Sequence, residues 1–107
     1  MSRFSDIVER LSAVIESRRG ADPKSSWSAK LLADPVLAAK KLAEEALEAS
    51  LAAVQNDKAA LAAESGDLIY HWLVLLAAKG VSLDEVAEQL EAREGTSGLT
   101  EKAGRKT

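Results

Sequence analysis

The chain contains no cysteine, two prolines, and only two tryptophans, one tyrosine and one phenylalanine among its 107 residues. The missing cysteine excludes a disulfide scaffold, thiolate metal ligands and a thiol nucleophile, and it fits a reducing compartment. With so few aromatics and much alanine, the core has to be built from Leu, Val, Ile and Ala. So shallow a core suggests further burial through self-association. An excess of basic charge is also missing: 14 Lys and Arg against 17 Asp and Glu leave a net charge of −3. A general nucleic-acid binder would carry the opposite balance. Residues Met1 to Arg10 have mixed charge and no continuous apolar run, so no secretory leader is visible. The longest apolar stretch, Leu68 to Ala78, is interrupted by His71 and is too short to span a bilayer. These absences describe a single cytoplasmic domain, small for a helical protein standing alone.

What the chain does have is helical periodicity. Phe4, Ile7, Val8, Leu11, Val14 and Ile15 recur three and four apart, predicting an amphipathic helix that ends near Arg18-Arg19-Gly20. A short helical turn is expected through Trp27, Lys30, Leu31 and Leu32. Asp34-Pro35 reads as N-cap and first residue of a long helix to about Val54. Asn56-Asp57 breaks it, and Asp57 caps another helix to Lys79-Gly80. A connection this short makes the two antiparallel neighbours. Ser82-x-x-Glu85 is a capping box for a last helix reaching Arg93. The expected fold is all-α, a helical hairpin bundle of four to five helices over residues 1–93, with a mobile tail at 94–107. The helix around Leu68 to Leu76 is apolar on nearly every face and needs burial all round. Dimerisation completing a larger bundle would supply it, and wrapping by the first and last helices is the alternative.

Two acidic clusters flank the break. Taking position 56 as the turn, Glu48 and Glu64 lie eight residues to either side, and Glu45 and Asp67 eleven. In an antiparallel hairpin such pairs sit at equal heights, so four carboxylates converge. Neighbouring carboxylates resist ionising together, and a hard divalent cation relieves that penalty through oxygen ligands. The pattern reads as a magnesium site. The plain alternative is a solvated helix face, since Glu is a good helix former. Asp67, a poor mid-helix residue, and Gly66, which costs about 1 kcal/mol relative to alanine, suggest that something approaches closely there.

Glu44-Glu45-x-x-Glu48 followed by Glu64-x-x-Asp67 resembles the MazG-like all-α nucleotide pyrophosphohydrolases. The segments Ser25-Ser26-Trp27-Ser28-Ala29-Lys30-Leu31-Leu32, Asp67-Leu68-Ile69-Tyr70-His71 and Ser97-Gly98-Leu99-Thr100-Glu101-Lys102 narrow the resemblance to the phosphoribosyl-ATP pyrophosphatase family of histidine biosynthesis. That family more often has Tyr-Thr where this chain has Trp27-Ser28, a swap that keeps an aromatic and a hydroxyl. The resemblance implies hydrolysis of N1-(5-phosphoribosyl)-ATP to the corresponding AMP and pyrophosphate. It implies Glu45, Glu48, Glu64 and Asp67 as Mg²⁺ ligands, with Glu44 orienting or deprotonating the attacking water or facing solvent. Two other functions compete: a house-cleaning nucleoside triphosphate pyrophosphatase, and a non-catalytic helical interaction module.

An anionic nucleotide approaching an acidic protein needs cations. Lys30 and Lys41 lead the candidates, ahead of Lys40, Arg18 and Arg19. For the lysines the bland reading is a surface pair with a glutamate, and for the arginines charge complementation at a helix C-terminus. Lys102, Arg105 and Lys106 either fold over substrate or solvate the tail. Trp27 stacks on adenine or plugs the hairpin. His71, one turn after Asp67, is either a hydrogen-bond partner of that carboxylate or a satisfied core residue, the commoner case. Tyr70 and Trp72 are assigned to core or subunit contacts.

Overall fold

The computed structural model describes residues 2–95, which form five helices and no strand. These are α1 (Arg3–Ser17), α2 (Trp27–Ala33), α3 (Pro35–Val54), α4 (Lys58–Ala78) and α5 (Leu83–Arg93). Of the tail expected at 94–107, the part from residue 96 on, with Lys102, Arg105 and Lys106, lies outside the described residues. Among the described residues no helix is long and apolar enough to cross a membrane.

Every helix begins with a side chain that occupies one of its otherwise unpaired N–H groups. Ser2, Ser26, Asp34, Asp57 and Ser82 accept from the backbone of Ser5, Ala29, Leu37, Ala60 and Glu85. The expected boundaries therefore hold to within a residue or two, including Pro35 in the first turn of α3. Helix ends are as well defined. Asn56 adopts a left-handed backbone (φ 59°), with its N–H donating to the Ala53 carbonyl and the Asp57 N–H to that of Ala52. Gly80 (φ 71°) closes α4 in the same way, through Ala77 and Leu76. Both turns terminate a helix by pairing its last carbonyls and reversing the chain.

α3 and α4 form the antiparallel hairpin, and α1 and α2 pack against α4. The core is a cluster of Ile15, Leu31, Leu32, Ala38, Leu73 and Val74, drawn from α1 through α4. α5 buries no residue fully and meets this cluster through Leu83. The single chain does not enclose α4: only His71, Leu73 and Val74 are buried along its length. Leu42, Ala46, Leu68, Ile69 and Trp72 line an apolar groove of about 420 Å³ between α3 and α4. Leu47, Leu51 and Val54 form an exposed stripe along α3.

Candidate metal and nucleotide site

The turn at Asn56 sets the height of everything on the hairpin. Counting outward from it, Glu45, Glu48, Ala49 and Ala52 fall on one stripe of α3, where Ala49 and Ala52 are buried. Glu64 occupies the matching height on α4. One carboxylate oxygen from each of Glu45, Glu48 and Glu64 lies within 4.8 Å of the other two. Asp67 is outside this group; it is exposed, one turn beyond Glu64 on the same helix.

The three carboxylates are electrostatically unsettled. Glu45 Oε2 and Glu64 Oε2 are buried with no hydrogen-bond partner. An unpaired acceptor out of contact with water is costly, and an uncompensated carboxylate more so. The Glu48 carboxylate, then burial, then Glu45 push the Glu64 pKa up to about 7. Proton uptake is one relief for such a cluster and a cation is the other. The donor set is all oxygen and anionic, and it leaves buried lone pairs unused, which fits a small hard divalent ion.

Glu44 is outside this group, and its Oε1 lies 3.3 Å from Lys41 Nζ. Lys41 Nζ is also 5.9 Å from the centre of the Trp27 ring system, and Lys30 Nζ is 5.7 Å from it. Trp27, Lys30 and Lys41 thus meet although they come from two helices. Trp27 is 42% exposed. Its indole N–H donates to His71 Nε2 at 3.4 Å, while His71 Nδ1 lies 2.8 Å from the Asp67 carbonyl oxygen. A carbonyl can only accept and an indole only donate, so His71 is the neutral imidazole carrying its proton on Nδ1. It is a satisfied, buried residue whose partner on Asp67 is the backbone rather than the carboxylate. A second tie joins the same elements: Ser28 Oγ lies 2.6 Å from Tyr70 Oη. Trp72 packs partly against the core.

The arginines lie at the opposite end of α4. Arg19 pairs with Glu16 and donates to the Ala77 carbonyl at 2.9 Å. It thereby covers the C-terminus of α4, roughly 20 Å along the helix from Glu64. Arg18 is the C-cap residue of α1. Lys40 is exposed on α3. Gly66 does not serve a close approach inside the chain, because a Cβ there would meet nothing within 4 Å. The sequence reading passed over Lys24, which lines a cleft of about 590 Å³ with Ser25, Ser26, Trp27 and Lys30. The signal for it was Asp22-Pro23, a turn in which Asp22 Oδ1 accepts from the Lys24 N–H at 2.9 Å.

Comparison with known proteins extends these observations. The sequence model of the phosphoribosyl-ATP pyrophosphohydrolase family matches residues 8–94. The chain is 65% identical over 103 residues to the phosphoribosyl-ATP pyrophosphatase of Caulobacter vibrioides, covering 96% of each. It is 64% identical over 105 residues to that of Caulobacter sp. strain K31, covering 98% of each. With the enzyme of that name from Cereibacter sphaeroides it shares 59% identity over 100 residues, 92% of this chain and 97% of the relative.

Proposed function

The chain belongs to the phosphoribosyl-ATP pyrophosphohydrolase family, and on that premise we propose that it hydrolyses N1-(5-phosphoribosyl)-ATP to N1-(5-phosphoribosyl)-AMP and pyrophosphate in the cytoplasm, the second step of histidine biosynthesis. The observation that carries the chemical part is the convergence of Glu45, Glu48 and Glu64 from two helices, with two of their buried oxygens unpartnered.

Glu45, Glu48 and Glu64 would hold Mg²⁺, and Asp67, on the same face of α4 as Glu64, completes the set. When bound, the ion supplies polarisation of phosphate oxygens, neutralisation of charge developing on them, and a more acidic water. The protein's own work is positioning and charge balance, which dominate phosphoryl chemistry. Lys41, between Glu44 and the Trp27 ring, can hold a phosphate oxygen and release Glu44 from their ion pair. Glu44 then orients the attacking water, and the carboxylates beside it accept its proton. The water oxygen adds to phosphorus, the α–β anhydride P–O bond breaks, and pyrophosphate leaves. Trp27 offers an indole face to the purine. Arg18 and Arg19 reach this site only if a second subunit brings them there. The half-enclosed α4, the apolar groove beside it and the exposed Leu47, Leu51 and Val54 support a homodimer or higher homo-oligomer.

The test is release of pyrophosphate, rather than orthophosphate, from phosphoribosyl-ATP in the presence of Mg²⁺. A folded protein that releases none, or that prefers unmodified nucleoside triphosphates in a substrate panel, would displace this reading in favour of a house-cleaning enzyme. Indifference to both metal and carboxylate substitution would favour a helical interaction module.

A further inference from the structure

The proposed substrate carries anions at two ends. Its triphosphate hangs from the ribose on purine N9, and its second phosphate, a pentose 5-phosphate, hangs from N1 on the opposite edge of the same purine. A site for such a molecule has to be ordered as cation, aromatic surface, cation. The described residues offer each of these parts. At one end lie the carboxylate cluster, as holder of a divalent ion, and Lys41, 3.3 Å from Glu44. Trp27 is shared by both cations, its ring centre 5.9 Å from Lys41 Nζ and 5.7 Å from Lys30 Nζ. Beside it is the cleft of about 590 Å³ that Lys24, Ser25, Ser26 and Lys30 line together with Trp27.

Two features separate this cleft from an ordinary solvated surface. The chain has more acidic than basic residues, yet among the described residues neither Lys24 nor Lys30 has a carboxylate within ion-pair distance; the ion pairs are Glu16–Arg19 and Lys41–Glu44. Lys24 neighbours Asp22, but that carboxylate is turned onto the Lys24 backbone N–H. The aromatic between the two ends is also fixed. Trp27 is held by its N–H on buried His71, and the next residue by Ser28 on Tyr70. The start of α2 is therefore tied to α4 at two successive residues.

We propose that the cleft of Lys24, Ser25, Ser26 and Lys30 beside Trp27 binds the pentose 5-phosphate on purine N1, and so distinguishes phosphoribosyl-ATP from plain nucleoside triphosphates. This rests on the activity assigned above. The lysines supply charge-assisted hydrogen bonds to the phosphate, and Ser26, whose hydroxyl oxygen accepts from the Ala29 N–H, has its proton left for a neutral one, while the Ser25 hydroxyl donates to the Asp22 carbonyl. A nucleotide without that phosphate leaves the cleft unfilled, and discrimination comes from the interactions it cannot make.

The probe is ribose 5-phosphate, titrated into the full chain while the Trp27 indole N–H resonance is followed by NMR, with Trp72→Phe used to assign it. Saturable movement of that resonance with ribose 5-phosphate but not with ribose is expected. Lys30→Met and Lys24→Met should each weaken binding about tenfold, with Lys30→Arg restoring most of it. In steady-state assays the same methionine variants should lower the preference for phosphoribosyl-ATP over ATP by about the same factor. Because Lys24 is an exposed loop residue, its variant remains informative if a helix substitution disturbs folding. Wild-type affinity in both methionine variants, or no response of the wild type to ribose 5-phosphate, overturns the proposal. If the wild type releases no pyrophosphate from phosphoribosyl-ATP, the activity reading falls instead, and the NMR titration still decides the cleft by itself.

Discussion

Two stretches of α4, two turns apart, treat buried polar groups in opposite ways. At His71 both ring nitrogens are engaged, one by a carbonyl and one by an indole, and the residue is only 8% exposed. Two turns earlier, Glu64 faces two other glutamates with an oxygen out of water and unpaired. The same chain also caps all five helix starts with side chains. Among the described residues, the buried side-chain oxygens left without a partner are both in this trio, which is what supports the proposal that a cation completes it. The contrast assigns His71 to the scaffold and supports the role proposed for the three glutamates.

The sharpest way to break the contrast is to remove the charge. Glu48→Gln or Asp67→Asn should lower pyrophosphate release by on the order of a thousandfold, the scale of several kcal/mol of lost charge stabilisation. The metal-free melting temperature should stay level or rise slightly as carboxylate repulsion is relieved. A large loss of metal-free stability would instead make these glutamates part of the scaffold.

His71→Leu tests the other side. It removes partners from the Trp27 N–H and the Asp67 carbonyl, and thermal denaturation should register about 1 kcal/mol of destabilisation. The carbonyl keeps its helical hydrogen bond and the indole is partly exposed, so a much larger loss would mean that His71 carries more than these two contacts.

A smaller effect follows from pH. Glu64 has a folded-state pKa of about 7, above its ordinary value of 4.5, so the folded protein binds the proton more tightly than the unfolded chain does. The associated stability is complete below about pH 4.5 and is lost as pH rises through about 7. Metal-free melts should therefore fall in temperature over that window. Glu64→Gln should flatten the slope, and Mg²⁺ should offset the loss at the upper end. A slope that Glu64→Gln leaves intact would assign the titration to another group.

The smallest effect concerns Gly66. With open space around a Cβ at that position, Gly66→Ala should stabilise the helix by roughly 0.5–1 kcal/mol. If KM for the nucleotide rises at the same time, the open space belongs to the substrate.

Much of this was legible in the chain because it is local. Caps, the Asn56 turn and the equal counts to Glu48 and Glu64 need nothing beyond helical geometry. What could not be read depends on contacts across long stretches of sequence. Arg19 meets a carbonyl 58 residues away, so its role at the end of α4 has no sequence signature. The Trp27–His71 bond spans 44 residues and depends on where the short α2 docks. Gly66 misled for a related reason: glycine in a helix signals freedom of approach but does not say from which molecule. The shallow core anticipated from composition was observed: among the described residues nine apolar ones are buried, and five of them are alanine or valine.

The left-handed residue at Asn56 has a consequence for what changes the gene can tolerate. Each carboxylate lies a fixed count of residues from that pivot, and an extra or missing residue within an arm would swing everything beyond it by about 100°. Glu48 and Glu64 would then face different directions although each was still encoded. Insertions and deletions between positions 48 and 64 should accordingly be as damaging as replacing the acids themselves, while substitutions that keep the length pass.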